Sequence, residues 1–390
     1  MRIVQSVFAV FHHFELAREL DRRGHLQTIY STWPWARLKR EGLPKSRVQT
    51  FPWLQAPESA LRRLGLQNAR LYDELGFANA LAFDNWTDRR LAKLNPAPDA
   101  LIAIAGSSLI AGQNLQRRGG LFLCDRGSSH QRFQADLIAT EFARWGVTTP
   151  VSDIRDTLRE EAIYAAADAI TVPSHFAARS FTTMGIDPAK VHVIPYGVRL
   201  ENFTPTIPAP PISERFEVLF AGQVSLRKGV PYLLEAFAQL RHPNKRLRIA
   251  GAVQPDLAQI LPRLPQANVD FLGPLPQPEL ARLMSSSHVL VLPSIEEGLA
   301  LVQGQAMACG CPVIATTNTG AEDLFTNEVE GFIVPIRDPA AITTRLQQLA
   351  DDPTLHTQLR TAGLHKVQHL GGWTHYGDLW ESLLHTLTHR

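Results

Sequence analysis

Cysteine is scarce: Cys124, Cys309 and Cys311 are the only three in 390 residues. They make no disulfide framework, and the C-x-C spacing of the last two matches neither a zinc site nor a redox pair. A reducing, cytoplasmic setting is therefore expected. No apolar run of about 20 residues occurs, so no helical membrane span is expected. The opening MRIVQSVFAVFHHFELARELDRRGH has no signal-peptide cleavage site and turns charged by Glu15. It reads as a strand followed by a helix. Net charge is only +2, which leaves no electrostatic footprint for nucleic acid. No internal repeat, low-complexity tract or Asp-x-Asp pair appears, and no metal is expected.

What the chain does contain is 45% apolar and 19% charged residues, a globular composition long enough for two domains. Charge is uneven. Residues 1–70 hold 12 Lys+Arg against 5 Asp+Glu, an excess of 12 − 5 = +7. With Trp33, Trp35, Trp53, Leu54 and Leu61 nearby, this region suits either packing with a solvated basic face or peripheral contact with the inner face of a membrane.

Short apolar runs alternate with amphipathic stretches, the pattern of parallel strands joined by helices. RIVQSVFAV, LQTIYS, ALIAIAG, LFLCD and AITVPS are candidate strands of a first half. FEVLFAG, RLRIAG, VDFLG, HVLVLPS, CPVIAT and GFIVPI are those of a second. Helices are expected at Glu15–Arg23, Tyr232–Arg241, Pro278–Ser285 and Pro339–Ala350. Residues 204–212, TPTIPAPPI, read as a linker. The chain is thus expected to form two doubly wound α/β domains, residues 1–205 and 212–371. A last amphipathic helix, 372–390, carries Trp373, Tyr376, Leu379 and Leu383 on one side.

Ligands of open α/β sheets sit beyond the carboxyl ends of the strands, and three loops of the second half have contents suited to that position. FAGQVSLRKGVP ends a strand at Gly222 and sets Arg227 and Lys228 before a helix start. Two cations there oppose the helix dipole, but they suit a diphosphate. A solvated basic pair is the plainer alternative. SIEEGLALVQGQAMACGCPVIAT places Glu296, Glu297 and Gly298 ahead of a small-residue helix expected from about Leu299 to Cys309. Free N–H groups at that start suit an anion, and Gly298 permits close backbone approach. The carboxylates suit sugar hydroxyls, or they complement the helix dipole. TTNTGAEDL, with Gly320, either adds N–H donors or is an ordinary turn.

Taken together these motifs resemble the family-4 retaining glycosyltransferases, whose GT-B fold is two Rossmann-like doubly wound parallel-sheet domains facing a central cleft. The likeness covers nearly the whole chain and is strongest from Val218 to Pro335. VHVIPYGVRLENFTP resembles the family's hinge-proximal stretch, FAGQVSLRKG its phosphate loop, and SIEEGLALVQGQAMACGCPVIAT its E-x7-E motif. The resemblance implies that Arg227 and Lys228 neutralise the diphosphate of a nucleotide-sugar donor. It implies that Glu297 meets the sugar hydroxyls, with Glu296, Gly222, Gly298, Leu299, Ala300 and Leu301 around the donor. Gln305 stands where the family has its second Glu, which weakens the assignment of the donor.

The first strand–helix loop departs as well. It reads Phe11-His12-His13-Phe14 where many relatives have a glycine pair, so His12 and His13 are acceptor-side candidates, or packing and capping residues. FLCDRGSSHQRF adds Asp125 and His130 as acceptor-side catalytic candidates. The C-terminal helix would return to the N-terminal domain. The implied activity is retaining, metal-independent sugar transfer without a cofactor to a sugar or lipid-linked acceptor, in glycan, exopolysaccharide or glycolipid synthesis. The alternatives are a sugar-nucleotide isomerase and a non-catalytic nucleotide-sugar-binding protein.

Overall fold

The computed structural model describes residues 1–53, 55–63, 68–149 and 153–388. Two parallel sheets organise the chain. The first is built from β1 (Ile3–Val7), β2 (Leu26–Ser31), β3 (Val48–Thr50), β4 (Ala100–Ile104), β5 (Leu121–Asp125), β6 (Ala169–Val172) and β7 (Val191–Val193). Its order is β3-β2-β1-β4-β5-β6-β7. The second comprises β8 (Phe216–Ala221), β9 (Lys245–Ala250), β10 (Val269–Gly273), β11 (Val289–Leu292), β12 (Val313–Thr316) and β13 (Gly331–Val334), in the order β10-β9-β8-β11-β12-β13. Each order reverses direction beside its first strand, between β1 and β4 and between β8 and β11, and such switch points open a crevice for ligands.

Central strands are legible because helices cover both faces of the sheet: all six residues of β8 are buried, so the strand is an apolar run rather than an alternation. The two edge strands β3 and β7 are three residues each. VQT and VHV are too short and too polar to stand out, and pairing with β2 and β6 makes them strands.

Residues 204–212 carry no helix or strand, yet they are pinned to the second half. Thr206 N donates to Ser285 Oγ (3.1 Å), Ser285 Oγ to Thr204 O (3.1 Å), and the His288 ring meets Pro210 O at 2.8 Å. The final helix, Trp373–Thr388, returns to the first half. Tyr376, Trp380 and Leu384 are buried in one cluster with Leu16, Ala17 and Leu20 of helix His13–Arg22. Leu379 and Leu383 flank that stripe, partly buried against the same cluster. Arg23 ties the pair further, ion-paired with Asp378 and with Glu381.

Trp33 and Trp35 are partly buried against this same cluster, whereas Trp53 is 72% exposed. Leu54 lies outside the described residues. No helix among them is long and apolar enough to cross a membrane.

Candidate active site

The loop after β8 and the loop after β11 are pressed into one another. Ile295 N donates to Arg227 O (2.8 Å), while Leu226 N donates to Asp256 Oδ2 (2.8 Å) in the helix that follows β9. Gly229 caps helix Val230–Gln239 with φ +66°, and a Cβ there would lie 1.9 Å from Pro293 O. Only glycine fits both the left-handed backbone and the contact. Arg227 and Lys228 are thereby delivered beside Glu296 and Glu297.

Lys228 is ion-paired with Glu297. Burial, then the adjacent Arg227 guanidinium, push its ammonium down to about 7, with Glu296 opposing. Arg227 keeps 30% of its side chain exposed and donates through Nη1 to Glu296 O (2.9 Å) and Oε2 (3.4 Å). Gln305 is half-buried on helix Val302–Ala308.

Glu296 is fully buried, and its carboxylate turns toward the first half. Oε1 accepts from Ser128 Oγ (2.6 Å), Ser129 Oγ (2.7 Å) and Ser129 N (3.3 Å), and Oε2 from Gln134 Nε2 (2.7 Å). Burial alone would raise its pKa, but the hydrogen bonds from Ser128, Gln134 and Ser129, with Arg227, hold it below the ordinary carboxylate value. Glu296 therefore binds the halves together rather than the donor, a correction to the expected role. A second tie is Glu141, also fully buried, which accepts from Tyr232 Oη (2.8 Å) and Arg337 Nε (2.7 Å) of the second half.

The helix start also differs from expectation. Leu299, Ala300 and Leu301 are not helical, and the helix is Val302–Ala308. The amides of Glu297 and Ala300 are bonded to Asn318 O (2.9 Å) and Thr319 O (3.1 Å), so the third loop occupies two of the N–H groups expected to face an anion. Gly320, at φ +69°, packs a hypothetical Cβ 2.7 Å from Leu299 and 3.1 Å from Gly298 O. This loop buttresses the site. Gly222 ends β8, donating to Ala250 O (2.9 Å).

Gly298 meets the first half directly. Its carbonyl accepts from Ser174 Oγ (2.5 Å), and an added Cβ would lie 2.2 Å from Gly127 O and 2.8 Å from Ser128 Cα. Both neighbours are backbone and cannot yield. Gly298→Ala is expected to force the loops apart and cost about 1–3 kcal/mol, read as a lower melting temperature. An unchanged melting temperature would mean that this contact does not hold the halves together.

On the first-half side, Asp125 Oδ2 lies 2.7 Å from His12 Nε2 and 3.3 Å from His13 Nε2, while Oδ1 accepts from Thr171 Oγ1 (2.9 Å). These three residues bring ligand-type atoms within 4.8 Å of one another. Burial resists ionisation of Asp125, but His12, His13 and Thr171 hold its carboxyl below the usual range. His13 is fully buried, and burial followed by His12 pushes its imidazole down to about 3. It is a neutral packing residue, not an acceptor contact; His12 keeps the partial exposure an acceptor needs.

His130 departs from expectation too. Only 2% exposed, it caps helix Gln131–Arg144 through Nδ1 and lies against Tyr164 and Phe181 (ring centroids 4.9 and 5.1 Å). Its imidazole, pushed down to about 4 by burial, serves the fold.

Sequence reasoning overlooked Arg126 and Gln134. Arg126 spans Glu160 (2.8 Å), Gln131 (2.8 Å) and Gln134 (3.0 Å). Its position directly after a buried strand was the available signal.

The family model described as Glycosyltransferase Family 4 matches residues 9–202, and that described as Glycosyl transferases group 1 matches 206–366. Similar proteins include D-inositol 3-phosphate glycosyltransferase 1 of Catenulispora acidiphila, 34% identical over 55% of this chain and 56% of that protein. Another is a GDP-mannose-dependent monoacylated alpha-(1-6)-phosphatidylinositol monomannoside mannosyltransferase of Corynebacterium glutamicum, 28% identical over 66% of this chain and 72% of that one. The chain spans little more than half the length of the inositol-phosphate enzymes it matches. Sucrose-phosphate synthase from Thermosynechococcus elongatus has the same fold, with TM-score 0.70, 21% identity and 99% of each chain covered. Anabaena HepE, solved with UDP and glucose, superposes with TM-score 0.66 at 15% identity over 99% and 100% of the two chains.

Proposed function

This chain belongs to the family-4 glycosyltransferases, and we propose that it moves a sugar from a nucleoside-diphosphate donor to an acceptor hydroxyl in glycan or glycolipid synthesis. The observation that carries the reading is the convergence of Arg227 and Lys228 with Glu297 and Gly298 at the switch point of the second sheet, opposite His12 and Asp125. The bond from C1 of the sugar to the diphosphate oxygen breaks and a bond from C1 to the acceptor oxygen forms. The acceptor proton passes to the leaving phosphate. Attack from the side the phosphate leaves retains the anomeric configuration.

Arg227 and Lys228 supply positive charge where negative charge develops, so no metal is required. Glu297 moves from Lys228 to the donor's hydroxyls once the diphosphate takes over the ammonium. Glu296 is held by Ser128, Ser129 and Gln134, so the two carboxylates do not make the acid–base pair that the isomerase alternative would draw from them.

The test is a panel of UDP-, GDP- and ADP-sugars with EDTA present, followed by NMR of the product anomer. Transfer with retained configuration supports the reading. An inverted product, or activity lost to EDTA and restored by a metal, overturns the retaining or metal-free part of it.

Donor binding is expected to depend on pH through Lys228. Its folded value, about 7, lies below the ordinary lysine value. The ammonium that a diphosphate needs is thus fully present below pH 7 and lost as pH rises through it. Affinity is expected to fall above pH 7, and calorimetry in buffers of different ionisation enthalpy should report uptake of a proton on binding there. Lys228→Arg keeps its charge and should flatten the profile. Proton-neutral binding at pH 8 by the wild type would refute the assignment.

A further inference from the structure

His25, Glu381 and His385 cluster away from the crevice. Each offers one ligand-type atom, and these atoms all lie within 4.8 Å of one another. His25 stands between helix His13–Arg22 and β2, and its carbonyl accepts from Ile3 N (2.8 Å). That fixes it at the amino ends of the strands of the first sheet, whereas the crevice lies at their carboxyl ends. Glu381 and His385 belong to helix Trp373–Thr388. Their i, i+4 spacing sets two side chains next to each other on one helix face, as in zinc sites built on a helix.

The pairwise geometry suits a metal. His25 Nε2 lies 2.7 Å from Glu381 Oε1, and the rings of His25 and His385 stand edge to face with centroids 6.4 Å apart. Tetrahedral zinc, with bonds of about 2.0–2.1 Å, spaces its ligand atoms about 3.3 Å apart. Side-chain rotations that close no more than about 1.5 Å therefore complete the triad.

The remaining polar atoms of two ligands already have partners. Glu381 Oε2 is paired with Arg23 Nε (3.3 Å), and His25 Nδ1 lies 3.3 Å from the Met1 amino nitrogen. Outer contacts of this kind orient the ligands of metal centres. The hydrogen bond from His25, opposed by burial and joined by the charges of His25, Arg23 and His385, holds Glu381 below the ordinary carboxylate value. It is thus in the anionic form that a metal requires. His385 is exposed, and His25 and Glu381 keep 15% and 30% of their side chains accessible, which gives an ion and its water an approach. The other such cluster among the described residues, His12, His13 and Asp125, belongs to the crevice, and its His13 is fully buried.

We propose that His25, Glu381 and His385 bind a divalent transition-metal ion of the zinc class, which clips the C-terminal helix to the first half. Two imidazoles and one carboxylate suit Zn²⁺, Ni²⁺ or Cu²⁺, whereas Mg²⁺ and Ca²⁺ favour oxygen ligands. The ion takes the place of the proton shared by His25 and Glu381, and water fills the fourth position. It joins segments 356 positions apart, so it binds only while the helix is docked and stabilises that state.

Calorimetry on the full chain, stripped with EDTA and exchanged into metal-free buffer, tests this with Zn²⁺ as the probe. Zn²⁺ should bind, Mg²⁺ at the same concentration should not, and Zn²⁺ at about 100 times its Kd should raise the melting temperature by a few degrees. His385→Ala should weaken binding roughly tenfold or more and abolish the melting shift, with circular dichroism unchanged. Glu381→Gln should do the same, and it decides if the alanine variant fails to fold. His369→Ala breaks an exposed pair with His365 (ring centroids 4.6 Å) and should change neither readout. Absence of Zn²⁺ binding, equal affinity for Mg²⁺, undiminished binding in a folded His385→Ala or Glu381→Gln chain, or loss of the ion in His369→Ala overturns the proposal. Binding and melting are the readouts, so they stand whatever the donor panel gives.

Discussion

Arg227→Ala is expected to lower kcat/KM for the donor by about 10²–10³-fold, the usual effect of removing a preorganised group aimed at developing charge. The argument rests on its surroundings. Arg227 is anchored by its backbone, through Ile295 N to Arg227 O, and by one side-chain nitrogen on Glu296 O. The rest of the guanidinium is partly exposed in the crevice, where a planar fork can take two phosphate oxygens. Glu296 keeps its bonds from Ser128, Ser129 and Gln134 in that variant, so the melting temperature should fall less than when Glu296 itself is removed. The loss should appear mainly in kcat, since negative charge on the leaving diphosphate is greatest in the transition state. Arg227→Lys should recover only part of it. Full turnover in the alanine variant, with its fold intact, would end the phosphate role.

The second large effect is on stability. Glu296→Ala should destabilise the chain by about 3–5 kcal/mol, as breaking a buried charge network does. It leaves Ser128, Ser129, Gln134 and Arg227 donating to an empty space. For two cooperating units of this size that is a fall in melting temperature on the order of 10 °C. The sign of the pH dependence follows from its depressed pKa. The stability that Glu296 confers is full at neutral pH and is lost as pH falls through the carboxylate range. The gap between wild type and variant should therefore narrow on acidification. Calorimetry at pH 7 and pH 4 reads both; identical melting of the two proteins at pH 7 would show that the link between the halves carries no weight.

Which site residues could be read in advance depended on how local their signal was. Arg227 and Lys228 stood out because two cations before a helix conflict with the dipole, a conflict visible within four residues. Gly298 stood out as a glycine between a strand and a helix. Glu296 and Glu297 looked alike in sequence, and only the fold separates them: one faces Ser128 and Ser129, 167 or 168 positions away, and the other faces Lys228. His130 looked available beside Ser129, but the aromatic rings of Tyr164 and Phe181 enclose it. The helix start near Leu299 was misjudged because leucine and alanine favour helix, whereas Thr319 and Asn318 capture the amides first.

The sequence by itself determined the alternation of buried strands and helices, the division into two sheets and the phosphate-suited loop, because apolar period, proline content and charge conflict are written in neighbouring residues; the return of the last helix was implied by the family resemblance. Tertiary structure alone decided that Glu296 fastens the two halves and that Arg126 and Gln134 share one hydrogen-bond network with it. The partners of Glu296 lie more than 160 positions away in the chain, and the energy of a buried polar atom is set by the partner it finds.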